Sequence, residues 1–229
     1  MYLHAEPELP VKPLLYAHPF ASYCQKVLVA LYENDTPFSY RKLVPEDPSA
    51  MSEFGKLCHL KKFPVLVDDG QVFFESSIII EYLGIRYPGR NRLIPADAPH
   101  ALEVRMMDRV FDNYVMTPMQ RIVADFIRAK GDRDPLGVEE AHSALDSAYE
   151  WLNGLMEKRV WAAGAEFSMA DCAASASLFY SDWVHEIGEK YGHLRAYRKR
   201  LLERSSIART VEEARPYRKF FPPGAPNRD

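Results

Sequence analysis

The stretch HPFASYCQKVLVAL sets a hydroxyl (Ser22), a phenol (Tyr23) and a thiol (Cys24) side by side, where a proline-led turn gives way to an apolar helical run. Two chemistries fit Ser22. Its spacing to Gln25 is that of a capping box, in which the two side chains satisfy each other's backbone donors. The start of a helix also favours anions, so a sulfur lying there is drawn from a thiol pKa of about 8.5 toward the nucleophilic thiolate. A hydroxyl donating to that sulfur adds to the effect, and the two roles can coexist. Ser22 is therefore the first catalytic candidate, with Tyr23 and Cys24 next. Cys24, if one turn inside the helix, would face either the core, where a thiol is usually inert packing, or the edge of the site. Tyr16 on the preceding strand reads as core.

Two further spacings could hold a ligand beside that helix. Phe63-Pro64 stands at the start of a strand, where proline's missing N–H is tolerated and the X-Pro bond can be cis. Eleven residues on, Glu75-Ser76 sits where a strand meets a helix; a serine there caps the helix or, with the free N–H groups, binds an anion. Lys62 adds a positive charge that solvent alone would also explain. Ser168 and Asp171 have capping-box spacing and read as a folding device. The basic run from Arg195 to Arg204 has Glu203, Glu212 and Glu213 nearby and reads as a solvated helix face. The seven histidines are scattered, so neither a metal site nor a Ser-His-Asp triad is expected.

These residues need a scaffold. Pro13 to Ala17 reads as a strand, and Val27, Leu28 and Leu31 give the following segment helical spacing. Phe38 to Val44 alternates as a second strand, parallel to the first because a helix lies between them. A weaker helix around Ser49 to Lys56 precedes FPVLVDDGQVFFE, two strands joined at Asp69-Gly70, a dipeptide suited to a tight turn with positive φ. A helix from Ser77 to Tyr87 completes a βαβ, helix, ββα order. PGRNRLIPADAP has no periodicity and reads as a linker. Beyond it only helices are expected: Val104 to Lys130, bent at Pro118, then Val138 to Met156, an unusually apolar one from Phe167 to Trp183, and shorter basic ones around Leu194 to Glu203 and Ile207 to Arg215. The expected division is a unit over 12–89, a linker over 90–99 and a helical unit over 100–229 with a proline-rich tail.

Composition bounds the partners. The 229 residues are 47% hydrophobic and 27% charged, with a net charge of -3, which suits a globular chain and offers no basic footprint for nucleic acid or anionic membrane. No run of roughly 20 apolar residues could span a bilayer. MYLHAEPELPVKP lacks the basic and apolar parts of a signal peptide. Three widely spaced cysteines suit a reducing compartment, so a cytoplasmic location is expected.

The ordered set of HPFASYCQKVLVAL, KKFPVLVDDGQVFFESSIIIEYL and FSMADCAASASLF resembles the glutathione transferase superfamily. The resemblance covers most of residues 13 to 215. It implies a thioredoxin-like first domain, a helical second domain, glutathione as cosubstrate without a metal, and a homodimer. It further implies that Pro64 is cis, that the backbone of Phe63 pairs with the cysteinyl part of glutathione, and that Glu75 and Ser76 hold its γ-glutamyl end. Lys62 would face the glycyl carboxylate. The sulfur would lie near Ser22 and attack a small apolar electrophile between the two domains; from their residue types Phe20, Phe111, Tyr114 and Tyr217 are candidates for that apolar pocket, although aromatic residues at helical spacing also read simply as core. The serine of serine-type members falls at Ala21 here, so Ser22 is displaced by one. Two other readings follow: a glutathione-binding interaction or regulatory protein that has lost conjugation, and a glutathione thiol-disulfide oxidoreductase working through Cys24.

Overall fold

The computed structural model describes residues 12–229. The reading of the first eleven residues as no leader lies outside them. Four short strands, β1 (Leu14–Ala17), β2 (Ser39–Lys42), β3 (Val65–Asp68) and β4 (Gln71–Phe74), form one mixed sheet in the order β2-β1-β3-β4. β1 and β2 are parallel, as the intervening helix α1 (Ser22–Glu33) requires, while β3 runs antiparallel to both β1 and β4. The Asp69-Gly70 turn has φ of 48° and 74°, the doubly positive backbone of a tight hairpin. Helices α2 (Pro48–Leu57) and α3 (Ser76–Arg86) complete this part. The α1 residues Cys24 to Leu31 are all buried, because the helix lies between the sheet on one side and the helical bundle on the other.

The helical part starts earlier than its periodicity suggests. Helix α4 spans Ala98–Val110 and so begins two residues inside the stretch 90–99 expected to be linker, because Asp97 accepts the His100 N–H as an N-cap and Pro99 fits the first turn. The helix expected to run from Val104 to Lys130 is also interrupted before Pro118. Phe111–Met116 forms a π-helical stretch, and α5 (Thr117–Ile127) follows with Pro118 harmlessly in its first turn. Helices α6 (Pro135–Met156), α7 (Met169–Val184), α8 (Gly192–Leu202) and α9 (Ser205–Ala214) complete the bundle, with a short 3-10 segment over Arg215–Phe220.

Helix α7 is the bundle's axis, and its start is fixed by the capping box of Ser168 and Asp171. Asp171 is fully buried, yet its carboxylate accepts from the Ala162 and Ser168 N–H groups and from the Tyr197 hydroxyl. A carboxylate with those donors can stay in the interior. Where α1 and α3 meet α4, a buried ionic cluster joins the sheet-bearing part to the bundle. Lys26 Nζ lies 2.6 Å from Asp108 and 2.8 Å from Asp112, and the Ser77 hydroxyl donates to Asp108 at 2.7 Å. Arg109 reaches both carboxylates from the surface at 2.6 Å.

Candidate active site

A cleft of about 760 Å³ opens between the sheet-bearing part and the bundle. Its first wall is built from three places far apart in sequence: the segment Lys62-Phe63-Pro64, the corner Glu75-Ser76, and the start of α1 at Ser22 and Tyr23. The Phe63-Pro64 peptide is cis and enters β3 directly. Glu75 follows β4 with φ of 70°, a positive value rare for a side chain of its size, and hands the chain to α3 as its N-cap. Such an outlier costs of order 1 kcal/mol or more and points to a functional corner.

The start of α1 is arranged differently from a capping box. Ala21 is the N-cap and Ser22 the first helical residue; Gln25 donates its side-chain amide to the Pro19 carbonyl at 3.1 Å. Ser22 thus has no capping duty, and its half-buried side chain lines the cleft. The N–H groups of Ser22, Tyr23 and Cys24 have no intrahelical acceptor, which makes this end of α1 a donor-rich edge of the cleft. At α3 the cap is Glu75, so Ser76 is likewise the first helical residue and not the cap, and its side chain also lines the cleft.

Cys24 and Tyr23 differ in access. Cys24 is fully buried and does not reach the cleft; burial pushes its thiol up to about 12, against a hydrogen bond from the His18 backbone that lowers it. Of the two places open to it, the core and the edge of the site, Cys24 takes the core: the helix end acts on groups in front of it, and Cys24 lies behind it. Tyr23 does line the cleft, but burial, with Asp112 adding, pushes its phenol up to about 12. It remains a neutral hydrogen-bond donor at physiological pH.

The opposite, apolar wall departs from expectation. Of the four residues assigned to it, only Phe20 lines the cleft. Phe111 is fully buried in the core, and Tyr114 is 64% exposed on the outside. The π-helical stretch is the reason. Thr117 donates its backbone N–H to the Asp112 carbonyl five residues back, which shifts the helical register and turns Asp112 and Asn113 toward the cleft. Tyr217 packs its ring edge-on against His18, 5.1 Å between centroids, behind the loop and away from the cleft.

The wall is instead made by Met119, Val123 and Ile127 of α5, Tyr180 of α7, and Phe220 and Phe221 of the terminal segment. The i, i+4, i+8 spacing of the α5 residues was a usable signal. The part played by Phe221 was not, since nothing local in a proline-rich tail shows where it docks. Among the described residues no group of three or more His, Cys, Asp or Glu side chains is placed to hold a metal. No helix among them is long and apolar enough to cross a membrane.

Comparison with known proteins decides the family. Residues 15–91 match the glutathione S-transferase N-terminal domain, and residues 135–200 match the C-terminal domain. The chain belongs to the glutathione transferase superfamily. Similar members include glutathione S-transferase U25 of Arabidopsis thaliana, 28% identical over 85% of this chain and 86% of that one. The stringent starvation protein A homolog of Haemophilus influenzae is 27% identical over 85% and 87%. Among solved structures, a glutathione S-transferase of Methylobacillus flagellatus with glutathione bound aligns with a TM-score of 0.78 at 25% identity, covering 87% of this chain and 98% of that one. Poplar glutathione transferase F1 shares the fold with the same TM-score at 18% identity, covering 90% and 99%.

Proposed function

We propose that this superfamily member binds glutathione in the cleft and conjugates it to an apolar electrophile. The Phe63 backbone, preceding Pro64, would pair with the cysteinyl part. Glu75 and Ser76 would hold the γ-glutamyl ammonium and carboxylate, and Lys62 the glycyl carboxylate. The sulfur then lies before the free N–H groups of α1, where the Ser22 hydroxyl donates to the thiolate. The thiolate adds to the electrophile or displaces a leaving group from it, forming a carbon–sulfur bond. Phe20, Met119, Val123, Tyr180 and Phe221 would cover the apolar part of that second substrate.

One observation carries this reading: Phe63-Pro64, Glu75-Ser76 and the start of α1 line a single cleft. Calorimetry with glutathione beside a haloaromatic conjugation assay tests it. Binding with turnover is expected, and no binding at millimolar glutathione would reject it. Binding without turnover would favour the second reading, a glutathione-binding interaction protein. Two facts favour that alternative, the Ala21 at the usual serine position and the relative named a stringent starvation protein. Disulfide chemistry through Cys24 has no support, given its burial and raised pKa.

The reading extends to assembly and location. The unit boundaries are proposed as 12–89, 90–99 and 100–229. A homodimer is proposed across α3 and α4, where Ile78, Ile85, Leu102 and Met106 are exposed around the Glu81–Arg105 ion pair. A patch carrying both an apolar face and paired charges is suited to a two-fold copy of itself. Sedimentation equilibrium giving a single-chain mass would reject the dimer. Three free, buried cysteines fit a reducing, cytoplasmic compartment.

A further inference from the structure

The loop from His18 to Ala21 delivers the chain from β1 to Ser22, and every backbone polar group between Pro19 and Ala21 is accounted for. The Pro19 carbonyl accepts from the Gln25 side chain at 3.1 Å, and the Ala21 N–H donates to the His18 carbonyl at 3.1 Å. The Phe20 carbonyl accepts from the Tyr180 hydroxyl at 2.8 Å, a bond that crosses from the bundle. The Ala21 carbonyl accepts the Gln25 N–H at 2.9 Å. That leaves the Phe20 N–H, which donates to Nδ1 of His18 at 3.0 Å. A backbone N–H can only donate, so Nδ1 must carry a lone pair and His18 must be neutral.

We infer that His18 is a positioning residue: its neutral Nδ1 fixes the Phe20 peptide, and with it the loop that presents Ser22 and the start of α1 to the cleft, so that acid releases the loop. The inference rests on the proposed role of that helix start. Protonation would set an imidazolium N–H against the Phe20 N–H, two donors facing each other. The other partners in the loop are a carboxamide, a phenol and backbone, and the Tyr180 phenol is pushed well up by burial, so none of them titrates in the range where imidazole does. Tyr217 from the terminal segment packs on the His18 ring, Glu46 from the segment before α2 acts on its charge, and Cys24 from α1 meets the His18 backbone, its thiol pushed up to about 12 by burial. Burial lowers the His18 pKa, with Glu46 partly opposing. The neutral form therefore persists to lower pH than in a free imidazole and is lost as pH falls through the lowered folded value.

Two variants and one spectrum test this. In H18N the Asn Oδ1 can accept the same i+2 N–H, as in an Asx turn, and does not titrate. H18A offers no acceptor. Conjugation should fall about three- to tenfold in H18A at pH 7, in kcat more than in KM for glutathione. The rate of H18N relative to the native protein should rise by a similar factor as pH falls through the His18 titration. In the native protein, the 15N-resolved Phe20 amide shift should titrate with the His18 ring, and in H18N it should show no such inflection. A Phe20 amide that ignores His18 titration, or an H18N acid profile identical to the native one, overturns the inference. Absence of conjugation in the native protein overturns the conjugation reading instead, and the Phe20 amide still decides the loop.

Discussion

At the scale of single residues, position relative to one helix end separates a useful group from an inert one. Ser22 and Cys24 are two residues apart, yet one lines the cleft and the other is fully buried. The residue types and spacing single out this helix start and rank Ser22 first, but capping-box spacing places the cap at Ser22, one residue later than the structure does. With Ala21 as the cap, Ser22 becomes the first helical residue and is released from backbone duty. Replacing Ser22 with Ala should therefore leave helix stability nearly unchanged. It should lower kcat for conjugation by roughly tenfold to a hundredfold, with glutathione affinity within about twofold, since one donor to the developing charge is removed. Steady-state kinetics beside calorimetry measure this, and unaltered turnover would remove Ser22 from the mechanism.

At the scale of elements, the strands and their connections were legible because their signals are local. Alternation marked β2, Asp69-Gly70 marked the hairpin, and a strand-helix-strand order required β1 and β2 to be parallel. The π-helical stretch was illegible, since apolar spacing over Val104 to Val115 is compatible with an unbroken α-helix. A local register shift puts Asp112 and Asn113 on the cleft side. The β4-to-α3 corner shows a local cost set against a proposed use. Glu75 has φ of 70°, which glycine adopts freely. Glu75→Gly should raise stability by about 1 kcal/mol in urea denaturation while weakening glutathione binding roughly tenfold. A variant both less stable and equally tight would contradict this view of the corner.

At the scale of the whole molecule, the cleft exists because two differently built parts are held in register. The cluster of Lys26, Ser77, Asp108, Asp112 and Arg109 lies across that junction and beside the cleft floor. Burial pushes the Asp112 carboxyl up, and Asp108 adds to the effect, while Lys26 and Arg109 counter it. A lysine inside the apolar run KVLVALY could have signalled such a partner; which acids supply it is a tertiary fact. Lys26→Met should cost about 3 kcal/mol, because it leaves two buried carboxylates with the half-exposed Arg109 as their one cation in the cluster. Denaturant unfolding reads that loss, and a cost below about 1 kcal/mol would mean that the cluster does not hold the junction.

On the proposed function, three separate chain segments seat one tripeptide with its sulfur before the α1 terminus. A crystal structure with glutathione tests it most directly. The account predicts the sulfur within about 3.5 Å of Ser22 Oγ, the Phe63 backbone paired with the cysteinyl residue, and the γ-glutamyl group between Glu75 and Ser76. Glutathione bound elsewhere, or an empty cleft at saturating concentration, would contradict it.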